Sequence, residues 1–320
     1  MPHLAAKLIK QMYGRCTPSW ERLVRFRPRS DPARVLVGRP VDAHLDVGLA
    51  TYQGAPVEVE VYSGSSILSP GRPTGAKEEV KRLESPLAQH EVGTIRCIGL
   101  NYAAHASEAG LEIPTVPTVF LKPAEALAGP FPDKIVVPHF TVHHKSADYE
   151  AELAVIIGRD AKNVHEDQAM DFVLGYTAAN DVSSRRTQFE TTQWSRSKSY
   201  DKACPIGPCV VSASAIPNPS ALTIQGIKNG RKMQDGLLSD LIFPIPRIIS
   251  FLSQGTTLRA GTVILTGTPA GIGFFFNPPE ILRDGDEFKV TLSGGIGTLV
   301  NRVEYEAQAG GPGTVAEPSN

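Results

Sequence analysis

Asp148-Tyr149-Glu150-Ala151-Glu152-Leu153-Ala154-Val155-Ile156-Ile157-Gly158 is the stretch that decides how this chain is read. An apolar run interrupted by two carboxylates, it predicts a β-strand from Glu150 to Ile157. Side chains alternate faces along a strand, so Glu150 and Glu152 point one way while Leu153, Val155 and Ile157 point the other. Two like charges about 7 Å apart along a strand repel and resist burial. A hard cation between them reverses that penalty. The bland alternative is an edge strand with a solvated acidic face.

A third carboxylate follows. Gly175-Tyr176-Thr177-Ala178-Ala179-Asn180-Asp181-Val182-Ser183 reads as another short strand ending in Asp181. Glu150, Glu152 and Asp181, from two neighbouring strands, give an all-oxygen set that suits Mg²⁺, with Mn²⁺ as a substitute. No Cys or His stands at ligand spacing nearby, and His143-His144 reads as loop, so zinc is disfavoured.

The chain has 320 residues, 41% hydrophobic content and a net charge of -1, enough for one large or two modest domains with an ample core. That balance gives no electrostatic reason to expect nucleic acid, and no apolar run approaches the length of a membrane span. Cys16, Cys97, Cys204 and Cys209 fit no zinc pattern and no disulfide framework, which points to reduced thiols in an intracellular protein. Lys7, Lys10 and Arg15, with no acid before Glu21, leave residues 1–19 open as a transit segment or an unprocessed start, and cytoplasm and mitochondrion both open.

Abundant Gly (29) and Pro (26) mark many turns, and the expected fold class is α+β and β-rich. Residues 20–90 form a small N-terminal β domain and its connector. Glu21 to Arg27 alternates partly, and Val57-Glu58-Val59-Glu60-Val61 alternates strictly. Ser63 to Gly75 is the Gly/Ser/Pro connector. Ala76 to Leu83 is a short helix candidate, with Glu79 and Arg82 at i,i+3. Residues 91–306 carry the chemistry on strands at Thr94 to Leu100, Thr118 to Leu121, Glu150 to Ile157, Phe172 to Ala178 and Cys209 to Ser212. Further strands follow at Leu222 to Lys228, Thr262 to Thr266, Glu287 to Leu292 and Gly297 to Val303. Helical stretches are few, chiefly Asp167 to Met170 and Phe243 to Ser253. Residues 307–320 read as a disordered tail.

Other groups join the carboxylates. Asn101 to Glu108 reads as the start of a helix on which His105 and Glu108 share a face, and a carboxylate beside an imidazole raises its basicity. A surface pair is the bland alternative. Lys198, in the polar loop Gln193 to Asp201, suits a substrate carboxylate or acid/base work near a cation, as does Lys122; each taken alone is an ordinary surface lysine. Thr266 to Gly273 has glycines enough to present backbone N–H groups, without a Walker or dinucleotide pattern.

Together and in order, Ile98-Gly99-Leu100-Asn101-Tyr102 with His105 and Glu108, Glu150-Ala151-Glu152, Asn180-Asp181-Val182-Ser183, Lys198-Ser199-Tyr200-Asp201, Cys204-Pro205-Ile206-Gly207-Pro208 and Leu265-Thr266-Gly267-Thr268-Pro269 resemble the fumarylacetoacetate hydrolase family over about residues 92–304. The N-terminal domain is most like the longer subgroup that includes oxaloacetate tautomerases. The resemblance implies a mixed β-sandwich roll, usually a homodimer, with a divalent cation on Glu150, Glu152 and Asp181. It further implies a mobile lid dyad at His105 and Glu108, an active-site lysine at Lys198, and substrate contacts at Thr268 and, in a loosely aligned loop, Gln188. Three positions depart from the pattern: Ser197 replaces a glycine, Arg186 an aspartate, and Leu100 stands where acylpyruvate-cleaving members carry arginine.

A 2-oxo acid, or a small dicarboxylate such as oxaloacetate, is the implied substrate, its enolate stabilised by the cation. The first expectation is keto–enol tautomerisation of oxaloacetate. The alternative is hydrolysis or decarboxylation that breaks a C–C bond of a 2-oxo or 1,3-dicarbonyl acid.

Overall fold

The structure is a computed structural model and describes residues 18–308. Most of the 1–19 extension, Cys16 and the tail beyond residue 308 lie outside the described residues.

An eleven-stranded sheet forms the frame. At its centre, Ala151–Ile157 pairs antiparallel with Val173–Asn180 on one side and with Val263–Leu265 on the other. Val173–Asn180 continues to Cys204–Ser212, and Val263–Leu265 runs parallel to Ile95–Gly99, which pairs with the edge strand Thr118–Lys122. Every residue from Ala151 to Ile157 is buried, so the strand is central and the solvated-edge alternative fails. A second, five-stranded sheet holds Arg231–Leu237, Thr223–Lys228, Glu287–Leu292, Gly297–Tyr305 and Lys134–Val137.

The alternation along Ala151–Ile157 divides the core. Leu153, Val155 and Ile157 join Ile224, Val290 and Leu299 from the second sheet in one apolar cluster. Ala154 and Ile156 join Ile95, Cys97 and Leu265 in a second cluster on the opposite face. Cys97, Cys204 and Cys209 are buried free thiols. The helix Ile245–Ser253 closes the first cluster with Ile245, Ile248, Ile249 and Leu252. No helix of the described residues is long and apolar enough to cross a membrane.

The N-terminal strands are continuous with this frame: Arg22–Pro28 pairs with Cys204–Ser212 through Arg22 and Leu23. One expectation is overturned here. Residues 76–83 are not a helix but part of the strand Pro73–Leu83, bonded to Glu58–Tyr62 and Arg22–Pro28. Two flanking strands satisfy its backbone groups, which outweighs the helix preference of Lys and Glu. Glu79 pairs with Arg29 at 3.0 Å and Arg82 with Asp133 at 2.7 Å, rather than with each other. The connector is therefore shorter than expected, ending before Pro73.

Candidate active site

Strand register assembles the carboxylates. Ala151 stands opposite Asn180, and Asp181 N donates to Glu150 O at 2.9 Å, so Asp181 leaves its strand beside Glu150. Carboxylate oxygens of Glu150, Glu152 and Asp181 lie within 4.8 Å of one another, and all three residues are buried.

Buried cations hold part of this charge, Lys198 and Arg185 first among them. Lys198 Nζ lies 3.0 Å from Glu150 Oε2 and 2.8 Å from Asp181 Oδ2, and donates to Ser183 Oγ at 2.7 Å. Arg185 Nη1 lies 2.6 Å from Glu150 Oε1, while its Nε donates to Asp148 Oδ2 at 2.9 Å. Against the opposing effect of burial, Lys198 and Arg185 hold the Glu150 carboxyl well below the usual carboxylate range. The same pairs hold Lys198 above its ordinary value despite burial, so it is an ammonium in this arrangement. Among the described residues Glu152 makes no ion pair, and the charge of Lys198 acts on it only weakly. Burial, then the charges of Asp181 and Glu150, push it well above the usual range, relieved in part by Gly267 N donating to Oε2 at 2.6 Å. A divalent cation among three clustered carboxylate oxygens removes that penalty, and the all-oxygen donor set suits Mg²⁺ or Mn²⁺; the residues present fit such an ion.

The loop after Val263–Leu265 shapes one wall. Gly267 needs its identity: its φ is +101°, and a Cβ there would come 2.7 Å from Asn101 Cβ. Asn101 Nδ2 donates to Thr266 O and Phe243 O, which anchors the start of the helix Ala103–Glu108 to this loop. On that helix His105 Nδ1 lies 3.1 Å from Glu108 Oε2, and Glu108 Oε1 accepts from Gly271 N at 2.9 Å. The pair therefore spans from helix to loop, with His105 lining the pocket.

Most of the expected residues meet in this one pocket, which is lined by His105, Glu150, Glu152, Gln188, Lys198 and Thr268 among others. Gln188 Oε1 accepts from Arg185 Nη1 at 3.0 Å. The Thr268 hydroxyl donates to Ala151 O at 2.9 Å and accepts from Gln234 Nε2 at 2.7 Å, so it is engaged within the protein. Glu108 and Asp181 stand behind the lining residues. Lys122 is not among them and, like Lys198, is no surface lysine: both are nearly or fully buried. Lys122 Nζ lies 2.7 Å from Asp181 Oδ1 and donates to the carbonyls of Val182, Ala203 and Lys198. The expected substrate contact at Lys122 is thus replaced by a buried support for Asp181.

The sequence reading passed over Arg185, Asp148 and Gln234. Gln234 ties Ala151 N to Thr268 and to Pro269 O. Asp148 precedes Glu150 and Glu152 at the same two-residue spacing, a signal for a further acid on that face. Arg185 Nη2 makes no hydrogen bond among the described residues and belongs to a side chain that lines the pocket.

The profile of the fumarylacetoacetate (FAA) hydrolase C-terminal family matches residues 94–304. The chain belongs to the fumarylacetoacetate hydrolase family. The family fold is equally plain in the solved structure of a 2-hydroxyhepta-2,4-diene-1,7-dioate isomerase from Mycobacterium marinum, 32% identical with a TM-score of 0.73, covering 90% of this chain and 100% of that one. Among family relatives, caffeoylpyruvate hydrolase of Neonothopanus nambi is 41% identical over 292 residues, 90% of this chain and 94% of the relative. Oxaloacetate tautomerase YisK of Bacillus subtilis (strain 168) is 43% identical over 227 residues, 70% and 73% of the two chains. Family membership makes this chain an enzyme of the group that includes these tautomerases and hydrolases.

Proposed function

We propose that the chain is a divalent-cation-dependent enzyme that hydrolyses a C–C bond of a 2,4-dioxo acid. The observation that carries this reading is a single pocket lined by Glu150, Glu152 and His105, with Asp181 clustered beside the two glutamates and Glu108 bonded to the imidazole. The relative matched over nine-tenths of the chain, a caffeoylpyruvate hydrolase, supports it.

Glu150, Glu152 and Asp181 would hold Mg²⁺, or Mn²⁺ in its place. When bound, the cation polarises the 2-oxo acid end of the substrate and stabilises the negative charge that develops there. Arg185 and Lys198 supply further positive charge to the same end, oriented by their ion pairs with Glu150. His105, with Nδ1 turned to Glu108, has Nε2 left to take a proton from water. The water oxygen bonds to the distal acyl carbon, and the bond from that carbon to the methylene breaks. The electron pair of that bond stays on the pyruvate fragment, which takes back a proton. The balance is R–CO–CH₂–CO–COO⁻ plus water giving R–COOH and CH₃–CO–COO⁻.

A second reading, tautomerisation of oxaloacetate, is favoured by Leu100 at the position where acylpyruvate-cleaving members carry arginine, and by the similarity to YisK. It uses the same enolate and needs only proton transfer by Lys198 or the dyad. We place hydrolysis first, the reverse of the order expected from the sequence, on the strength of the caffeoylpyruvate hydrolase matched over 90% of this chain and 94% of the relative. The proposal extends to a homodimer, for which Ile113, Val116, Val119 and Leu121 offer exposed apolar surface along and beside the edge strand Thr118–Lys122.

Pyruvate release from 2,4-dioxo acids, followed beside enol–keto conversion of oxaloacetate, tests this. Hydrolysis that needs Mg²⁺ or Mn²⁺ and stops with chelator is expected. Oxaloacetate conversion with no hydrolysis of any 2,4-dioxo acid would replace the first reading with the second.

A further inference from the structure

The pocket has aromatic walls. Phe120 and Trp194 meet edge to face with centroids 5.9 Å apart, Phe274 and Phe275 likewise at 5.7 Å, and Phe189 adds a ring 5.5 Å from Phe274. Both pairs begin at catalytic groups. Lys198 Nζ lies 4.9 Å from the Phe120 centroid, and the His105 ring lies 6.3 Å from Phe275. The first pair therefore starts beside Lys198, and the second beside His105, the group that takes the proton from water. The charged residues that line the pocket are Glu150, Glu152, Arg185 and Lys198, all at the cation end.

These walls are held in place. A Cβ on Gly99 would come 2.3 Å from Trp194 Cζ3, so the indole seats directly on the backbone of Ile95–Gly99. Ser197 Oγ donates to Trp194 O at 2.7 Å, fixing the loop that carries the ring. Asp148 accepts from Gly273 N at 2.8 Å and Phe274 N at 3.0 Å, fixing the second pair. At the mouth, Phe189 and Leu111 are 64% and 54% exposed, apolar surface that a ligand would cover.

We propose that these walls form a subsite for a flat, uncharged aromatic acyl group, so that R in the 2,4-dioxo acid is an aryl or aryl-conjugated substituent. The inference rests on the hydrolase reading for its reaction and on the aromatic walls for its selectivity. Rings that present both edges and faces favour another π-system over an aliphatic group of equal bulk, and bury it without leaving a polar group unpaired.

The test compares kcat/KM for 2,4-dioxo acids ending in phenyl, cyclohexyl, methyl or a carboxylate-bearing chain. Phenyl is expected to exceed methyl by about tenfold or more and cyclohexyl by several-fold, with the acidic chain poorest. Trp194→Ala, and Gly99→Ala by displacing Trp194, are each expected to lower the phenyl-to-methyl ratio by about tenfold. A methyl or acidic substrate equal to phenyl, a cyclohexyl substrate equal to phenyl, or a ratio untouched by Trp194→Ala overturns the subsite. If no member of the series is hydrolysed, the reaction reading has failed instead. Inhibition constants of N-phenyl and N-methyl oxamate then decide the subsite on their own: tighter binding of the phenyl compound, lost in Trp194→Ala, upholds it, and equal constants overturn it.

Discussion

Asp148 Oδ2 accepts a hydrogen bond from Arg185 Nε at 2.9 Å, with both side chains almost wholly buried. The same carboxylate takes the N–H groups of Tyr149, Gly273 and Phe274. One buried charge therefore orients the guanidinium beside Glu150 and also pins the loop that carries Phe274 and Phe275. Asp148→Asn keeps the shape and removes the charge. Expected is a fall in kcat/KM of about 10–100-fold, the range for groups that orient a metal site from behind. A loss of about 3 kcal/mol in denaturant unfolding should accompany it, as for other broken buried ion pairs. Unchanged kinetics would show that Arg185 needs no such orientation.

Lys198 is the positive charge shared by Glu150 and Asp181, beside Arg185 on the first and Lys122 on the second. Lys198→Met leaves three buried carboxylates with less compensation, so the cation-free protein should lose about 3–5 kcal/mol. Added Mn²⁺ should then raise Tm more in the variant than in the native chain. Scanning calorimetry with and without Mn²⁺ checks this; an equal rise in both would mean that Lys198 and the cation do not answer the same charge.

His105 separates the two reactions. His105→Ala should lower hydrolysis by about 10²–10⁴-fold, the usual contribution of a general base. Deuterium uptake at the substrate methylene, followed by NMR, should fall much less, because it requires no activated water. Equal losses in both would make the dyad the proton-transfer group of the enolisation itself.

What was legible in the sequence follows period and order. Val57, Val59 and Val61 alternate, and all three are buried, while the two-residue spacing of Glu150 and Glu152 sets both on one face. Asp181 was legible because it ends the next strand. Leu36–Pro40, Lys134–Val137 and Arg231–Leu237 were not foreseen: they are short or carry charge, and pairing across the sheet rather than local pattern makes them strands. Pro73–Leu83 was misread for the same reason. Lys198 and Lys122 could not be recognised as buried, since their partners Glu150 and Asp181 lie 48 and 59 residues away and meet them only through strand register. Arg185 escaped because a second arginine, Arg186, adjoins it; only the structure shows that Arg185 is buried and Arg186 exposed.

The central claim is that Glu150, Glu152 and Asp181 bind a divalent cation needed for turnover. Calorimetric titration of Mn²⁺ into the native chain and into Glu152→Gln, with turnover measured on the same samples, tests it most directly. The account predicts one site per chain, a Kd weakened at least about 100-fold in Glu152→Gln, and loss of activity with the fold intact by circular dichroism. Equal Mn²⁺ affinity in the two proteins, or full native turnover in excess chelator, would contradict it.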